Sequence, residues 1–254
     1  MTTTADLRRA LAAAGCPAPS QWPPQWHETT GSTNATAREL ADSGAPEWSL
    51  VAAGHQTDGR GRLGRTWVDR PGEALLFSVV LRPDIAPAAA GLLSLLAGAA
   101  MAEASAALVG AEIRCKWPND LLIDGAKAGG ILAEAQVSGG ALAHVVMGVG
   151  VNLAAPEGVE GATGIGEADP MALLAGFLRT FRDGYRPGEP GFPADVVARW
   201  SRTAATLGRE VEVSRAGADP VRGIATRVDE LGGLVLDTAQ GAVTVTSGEV
   251  THLR

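Results

Sequence analysis

The chain has 254 residues, 46% of them hydrophobic and 19% charged, and 28 acidic against 21 basic residues give a formal net charge of −7. That length accommodates one large domain plus a small one, while the acidic balance and 4% aromatic content argue against a nucleic-acid binder, which is basic over a whole face. Two cysteines (Cys16, Cys115) and four scattered histidines (His27, His55, His144, His252) offer neither a disulfide framework nor a zinc-site spacing, and no leader or anchor is legible, so the chain reads as cytoplasmic with no membrane partner.

Residues 6–14 read as a short helix ended by Gly15 and Pro17, and residues 21–31, rich in Trp and Pro, as extended chain. Ser32, Thr33 and Asn34 precede a helix over 35–43, so one of them is a natural N-cap; these short polar groups and the helix N-terminus could also face a polar ligand. A strand over 48–53 leads into residues 54–67, GHQTDGRGRLGRTW, and a second strand covers 74–81. The intervening loop sets four glycines and three arginines around Gln56, which suits backbone that must bend and approach a small anion. An ordinary Gly/Arg surface loop would have the same composition.

Residues 86–110 are apolar, Ala-rich and interrupted by glycine, and the charge-free part is too short to span a bilayer, so a buried helix is expected. In residues 113–120, IRCKWPND, a strand ends at Lys116, and Pro118, Asn119 and Asp120 turn the chain into a short strand over 121–123. Asp124-Gly125 is a hairpin turn signal that leads to Lys127 and an apolar run over 128–135. Lys116 and Lys127 are the chain's only lysines among 21 basic residues, which suggests a local need for a compact ammonium; a structural ion pair is the alternative for Lys127. Gly129 and Gly130 leave the space beside it free of side chains.

A buried strand over 143–151 carries Gly148 and Gly150 at alternate positions, baring backbone on one face, and ends at Asn152, whose amide has the donor and acceptor an adenine edge requires. A plain bulge and turn would look the same. Residues 156–169 read as a glycine-rich loop, 171–185 and 193–203 as helices. From 208 onward, short alternating strands over 210–214, 222–228, 233–237 and 242–247 suggest a small β-barrel.

Taken together, GRGRLGRTW, KWPNDLL with KAGGIL, and GVGVNL give the chain from about Ser32 onward a resemblance to the biotin protein ligases, in motif order and spacing. The resemblance implies an α+β fold: a mixed-sheet catalytic domain over 21–206 after an N-terminal segment 1–20, then an SH3-like barrel over 207–254. Many relatives carry an N-terminal helix-turn-helix, for which 1–20 is too short, so no DNA partner is expected. The implied reaction joins biotin and Mg-ATP as biotinyl-5′-adenylate, then passes biotin to one lysine of a biotin carboxyl carrier domain.

By the same resemblance Lys127 would bridge the biotin carboxylate and the α-phosphate, with Arg60 and Arg62 closing over the ligand. Ser32, Thr33, Asn34 and Gln56 would meet the ureido ring or line its pocket, Trp67 would supply apolar wall, and Gly59, Gly61, Gly129, Gly130 and Gly148 would bring backbone close to biotin. Arg65 and Lys116 would meet the phosphates. Asn119 and Asp120 would shape the Mg²⁺ end, with Asp120 as a metal ligand, and Asn152 would contact adenine. A lipoate–protein ligase or octanoyl transferase, and a non-catalytic biotin-binding module, are the rival readings. Monomer and homodimer, the latter through an edge strand of the sheet, are both open.

Overall fold

The computed structural model describes residues 2–215 and 217–253. Helix α1 (Thr4–Ala13) begins earlier than the apolar spacing predicts, because Thr3 and Asp6 form a capping box that satisfies two N-terminal donors. Strand β1 (Gln25–His27) follows the Trp/Pro-rich stretch, and helix α2 (Thr33–Asp42) starts just after Ser32. Ser32 takes the N-cap position without a side-chain capping bond; the Thr33 N–H is taken instead by Gln56 Oε1 at 2.7 Å. Local sequence suggested a self-capped helix, and the loop supplies the cap.

Strands β2 (Leu50–Ala53) and β3 (Ala74–Leu81) flank the glycine/arginine loop. Each is buried at every position, as strands covered on both faces must be. Helix α3 (Gly91–Val109), preceded by a 3₁₀ turn, is the apolar helix the sequence predicts. The segment 87–109 is long and apolar enough to cross a membrane, yet two-thirds of its most apolar window is buried within the fold. Strands β4 (Arg114–Lys116), β5 (Asp120–Ile123), β6 (Ala126–Ser138) and β7 (Ala141–Asn152) then form a meander, with Asp124 and Gly125 both at positive φ in the β5–β6 turn. Helices α4 (Pro170–Gly184) and α5 (Phe192–Thr203) complete the layer against which the sheet packs.

The seven strands are ordered β1-β2-β3-β7-β6-β5-β4; β1 and β2 run parallel and all other neighbours antiparallel. One face carries α3 and α4, with α1 and α5 outside them, and a ladder of Phe77, Phe177, Phe181, Tyr185 and Trp48 runs through this layer at centroid spacings of 5.1–6.1 Å. Burying each such ring is worth about 1.5–3 kcal/mol, so this layer dominates stability. The other face carries only α2, whose Ala37 and Ala41 pack on Val51, Val80 and Val146, and the rest of that face is free to build a cleft.

A second, five-stranded antiparallel sheet follows, ordered β11-β10-β9-β8-β12: β8 (Glu210–Arg215), β9 (Ala218–Val228), β10 (Leu234–Thr238), β11 (Gly241–Val245) and β12 (Glu249–His252). The sequence reading missed β12, because four residues after a glycine are too few to show alternation. This sheet meets the first through Trp117, which is 1% exposed: its Nε1–H donates to the Gly232 carbonyl at 2.9 Å and its backbone N–H to Thr206 Oγ1 at 3.0 Å.

Candidate active site

The cleft opens on the α2 face, where register fixes which side chains share a row. Ser78 pairs with Gly148 and Gly148 with Leu132; Leu76 pairs with Gly150, Gly150 with Gly130, and Gly130 with Asp120. The alternate glycines of β7 therefore lie side by side at the cleft floor, as their spacing predicted. A Cβ on Gly148 would come within 2.1 Å of Asn34 Oδ1, and one on Gly150 within 2.9 Å of the Trp67 ring. Two glycines thus let Asn34 and Trp67 lie directly on the sheet.

Lys127 reaches this face through a bulge. Register shifts between Leu121 and Leu122, so Gly129 faces Leu121 while Lys127 faces Leu122, and Ala128 is skipped. Lys127 Nζ then lies 2.6 Å from Asp120 Oδ1, with the two side chains 39% and 20% exposed. The ion pair that was an alternative for Lys127 is therefore present, and it stands inside the cleft. Residues 161–165 brace this end: the Lys127 N–H donates to the Gly161 carbonyl, the Thr163 N–H to the Lys127 carbonyl, and Asn152 Nδ2 to the Thr163 carbonyl.

Each loop arginine has a separate arrangement. Arg60 is exposed and pairs with Asp58 at 2.9 Å, and Arg65 pairs with Glu249 of β12. Arg62 is half-buried and makes no ion pair among the described residues; burial pulls its pKa down, opposed by the charges of Asp120 and Glu249. A strong cation with no dedicated partner at the cleft wall is available for a ligand anion.

At the α2 end a continuous polar network is buried. Asn34 Nδ2 donates to Glu134 Oε2 at 2.7 Å and to the Leu132 carbonyl at 3.3 Å, and Ser78 Oγ lies 2.6 Å from Asn34 Oδ1 and 2.8 Å from Thr33 Oγ1. Thr33 gives both its N–H and its hydroxyl to Gln56 Oε1, and Arg38 holds the other Glu134 oxygen. Such a network fixes rotamers, which is what a site for a small polar headgroup needs.

Most of the anticipated residues line one cleft with an empty volume of about 920 Å³ including the solvent at its mouth: Ser32, Thr33, Asn34, Gln56, Arg60, Gly61, Arg62, Arg65, Trp67, Lys116, Asn119, Asp120, Lys127, Gly130 and Gly148. Gly59, Gly129 and Asn152 stand outside its lining. Gly59 admits the Trp67 backbone, Gly129 the Gly150 carbonyl, and Asn152 is buried against the 161–165 strap. Asn119 spends its amide on the Ile131 carbonyl at 2.8 Å, tying β5 to β6.

The sequence reading missed Ser78, Glu134 and Arg38, which carry no motif, and Gly248, Glu249 and Val250, which reach the cleft from the second sheet. Among the described residues no group of three or more His, Cys, Asp or Glu could cage a metal ion.

Residues 26–152 match the family model described as Biotin/lipoate A/B protein ligase family, and residues 206–253 match the Biotin protein ligase C terminal domain. The chain belongs to the biotin/lipoate A/B protein ligase family. Within it, the Mycobacterium tuberculosis protein named biotin–[acetyl-CoA-carboxylase] ligase is 39% identical over 240 residues, covering 89% of this chain and 87% of that one. The Bacillus subtilis bifunctional ligase/repressor BirA is 32% identical over 89% of this chain and 72% of its own. Among solved structures, the Aquifex aeolicus biotin protein ligase in complex with biotin and ATP superposes with a TM-score of 0.69 at 23% identity, covering 91% of this chain and 99% of that one. The family's mixed-sheet α+β architecture, with its second, antiparallel sheet, is the fold described above.

Proposed function

We propose that this protein is a biotin protein ligase, forming biotinyl-5′-adenylate from biotin and Mg-ATP and transferring biotin to a lysine of a biotin carboxyl carrier domain. The observation that carries the reading is the Lys127 ammonium, held 2.6 Å from Asp120 in the one cleft that also gathers Arg62 and Lys116. The relatives named as biotin ligases and the match over the second sheet support biotin over lipoate as the acid.

Adenylation brings a carboxylate against the α-phosphate, two anions that repel until counter-charge is supplied. Lys127 bridges them and Arg62 stabilises the charge that develops; both are positioned before substrate arrives, so little reorganisation is required. Biotin's ureido ring lies at the α2 end among Ser32, Thr33, Asn34 and Gln56, with Trp67 as wall. The phosphates lie toward Lys116 and Arg65, with Asn152 supporting the adenine end. Mg²⁺ enters with ATP. A single carboxylate beside bound phosphates is the usual protein contribution to such an ion, and Asp120 with its neighbour Asn119 fits that role. In the second step Asp120 orients the acceptor amine, which must arrive unprotonated.

The catalytic unit extends over 21–206 and the second unit over 207–254, with α1 of the N-terminal segment packed on α4 of the first. The protein works as a cytoplasmic monomer or homodimer. Residues 204–205 cover the β4 edge through the Ala205 N–H bond to the Cys115 carbonyl, which leaves the three-residue β1 as the edge for pairing copies.

Intact-mass analysis of a carrier domain incubated with the protein, Mg-ATP and either biotin or lipoate tests the reading. A biotin-sized gain that falls at least about a thousandfold in rate with Lys127→Ala is expected. A lipoyl gain, or biotin binding without transfer, would overturn it.

A further inference from the structure

The glycine/arginine loop leaves β2 at His55 and returns at Asp69, and these two side chains meet. The Asp69 side chain is completely shielded from solvent; its Oδ2 accepts from His55 Nδ1 at 2.8 Å and from the Gln56 backbone N–H at 3.3 Å. Its Oδ1 is buried without any hydrogen-bond partner. A buried carboxylate oxygen left unpaired costs free energy.

The next residue explains what the pair controls. Gln56 Oε1 accepts twice from Thr33, which fixes the amide and turns Nε2 away from α2. Nε2 makes no hydrogen bond among the described residues, and the Gln56 side chain stands in the lining of the cleft. A primary amide locked at its oxygen and open at its nitrogen is a donor awaiting a carbonyl.

We infer that His55 and Asp69 form a positioning pair that fixes the base of the loop and aims the Gln56 amide nitrogen at the ureido carbonyl of biotin. The inference rests on the ligase reading above. Neither residue touches substrate: Asp69 holds the Gln56 backbone, and His55 holds Asp69 in the rotamer that does so.

Calorimetric affinities for biotin and for Mg-ATP, with carrier labelling and thermal unfolding, are measured on wild type, His55→Phe, His55→Asn and Asp69→Asn. His55→Phe keeps a planar ring without the donor, and Asp69→Asn keeps the shape without the charge. Each should weaken biotin binding about tenfold, the scale of one hydrogen bond to a charged group, while ATP affinity stays within about twofold. His55→Asn restores a donor at the Nδ1 place and should recover most of the loss. Equal weakening of both ligands, unchanged biotin affinity in His55→Phe, or no recovery in His55→Asn would overturn the pair. Should Asp69→Asn not fold, the half-exposed His55 variants still decide. A wild type that binds biotin but labels no carrier would sink the ligase reading while leaving this test intact.

Discussion

The three loop arginines have the same chemistry and different surroundings. Arg60 and Arg65 already have carboxylate partners, Asp58 and Glu249. Arg62 is half-buried without an ion pair, and its charge is retained against burial by the fields of Asp120 and Glu249. Arg62→Gly therefore removes the cation that faces the reacting anions and also frees backbone at the loop's centre. A mixed anhydride held behind that loop would escape and acylate stray amines. The expected result is at least about a tenfold rise in labelling of an unrelated lysine-rich protein, with slower labelling of the carrier. Equal labelling of the unrelated protein by mutant and wild type would show that Arg62 does not retain the intermediate.

At the level of elements, β7 is built for access. Gly148→Ala drives a methyl group into Asn34 Oδ1, and Asn34 cannot retreat because Ser78, Leu132 and Glu134 hold its amide. Overpacking of this kind costs about 1–3 kcal/mol, and here it should also weaken biotin binding more than ATP binding. Urea unfolding and ligand titration of the one variant check both. These glycines were legible in the sequence because their two-residue spacing is itself a face of a strand. So were β3, α3 and the helices α4 and α5, whose periodicity or length is unambiguous. Glu134, Ser78 and Asp69 were not, since a lone polar residue within or beside a strand gains meaning only from the neighbours that tertiary structure brings. The cap of α2 failed for the same reason: its acceptor lies 23 residues downstream on Gln56. Lys127 was legible as a residue, but the bulge at Ala128 that turns it to the cleft was not.

Across the whole molecule, the second sheet is tied to the cleft by β12, which begins with Glu249 at the loop and ends with His252 behind Lys116. His252 Nε2 lies 3.3 Å from Thr206 Oγ1, the same hydroxyl that receives the Trp117 N–H. A hydroxyl oxygen accepting from Trp117 has its proton free for His252, which suits a neutral, accepting imidazole. Burial, with smaller contributions from the charges of Lys116 and Arg209, lowers the His252 pKa from 6.5 to about 4. In the unfolded chain the ring protonates near pH 6.5, while the folded protein resists the proton until about pH 4. Stability attributable to this group is therefore complete above pH 6.5 and is lost progressively as pH falls through that window, because the unfolded state binds the extra proton. Urea midpoints measured at pH 7.5 and pH 5 should fall more for wild type than for His252→Asn, which cannot take up a proton there. Parallel pH curves for the two proteins would place the acid sensitivity elsewhere in the fold.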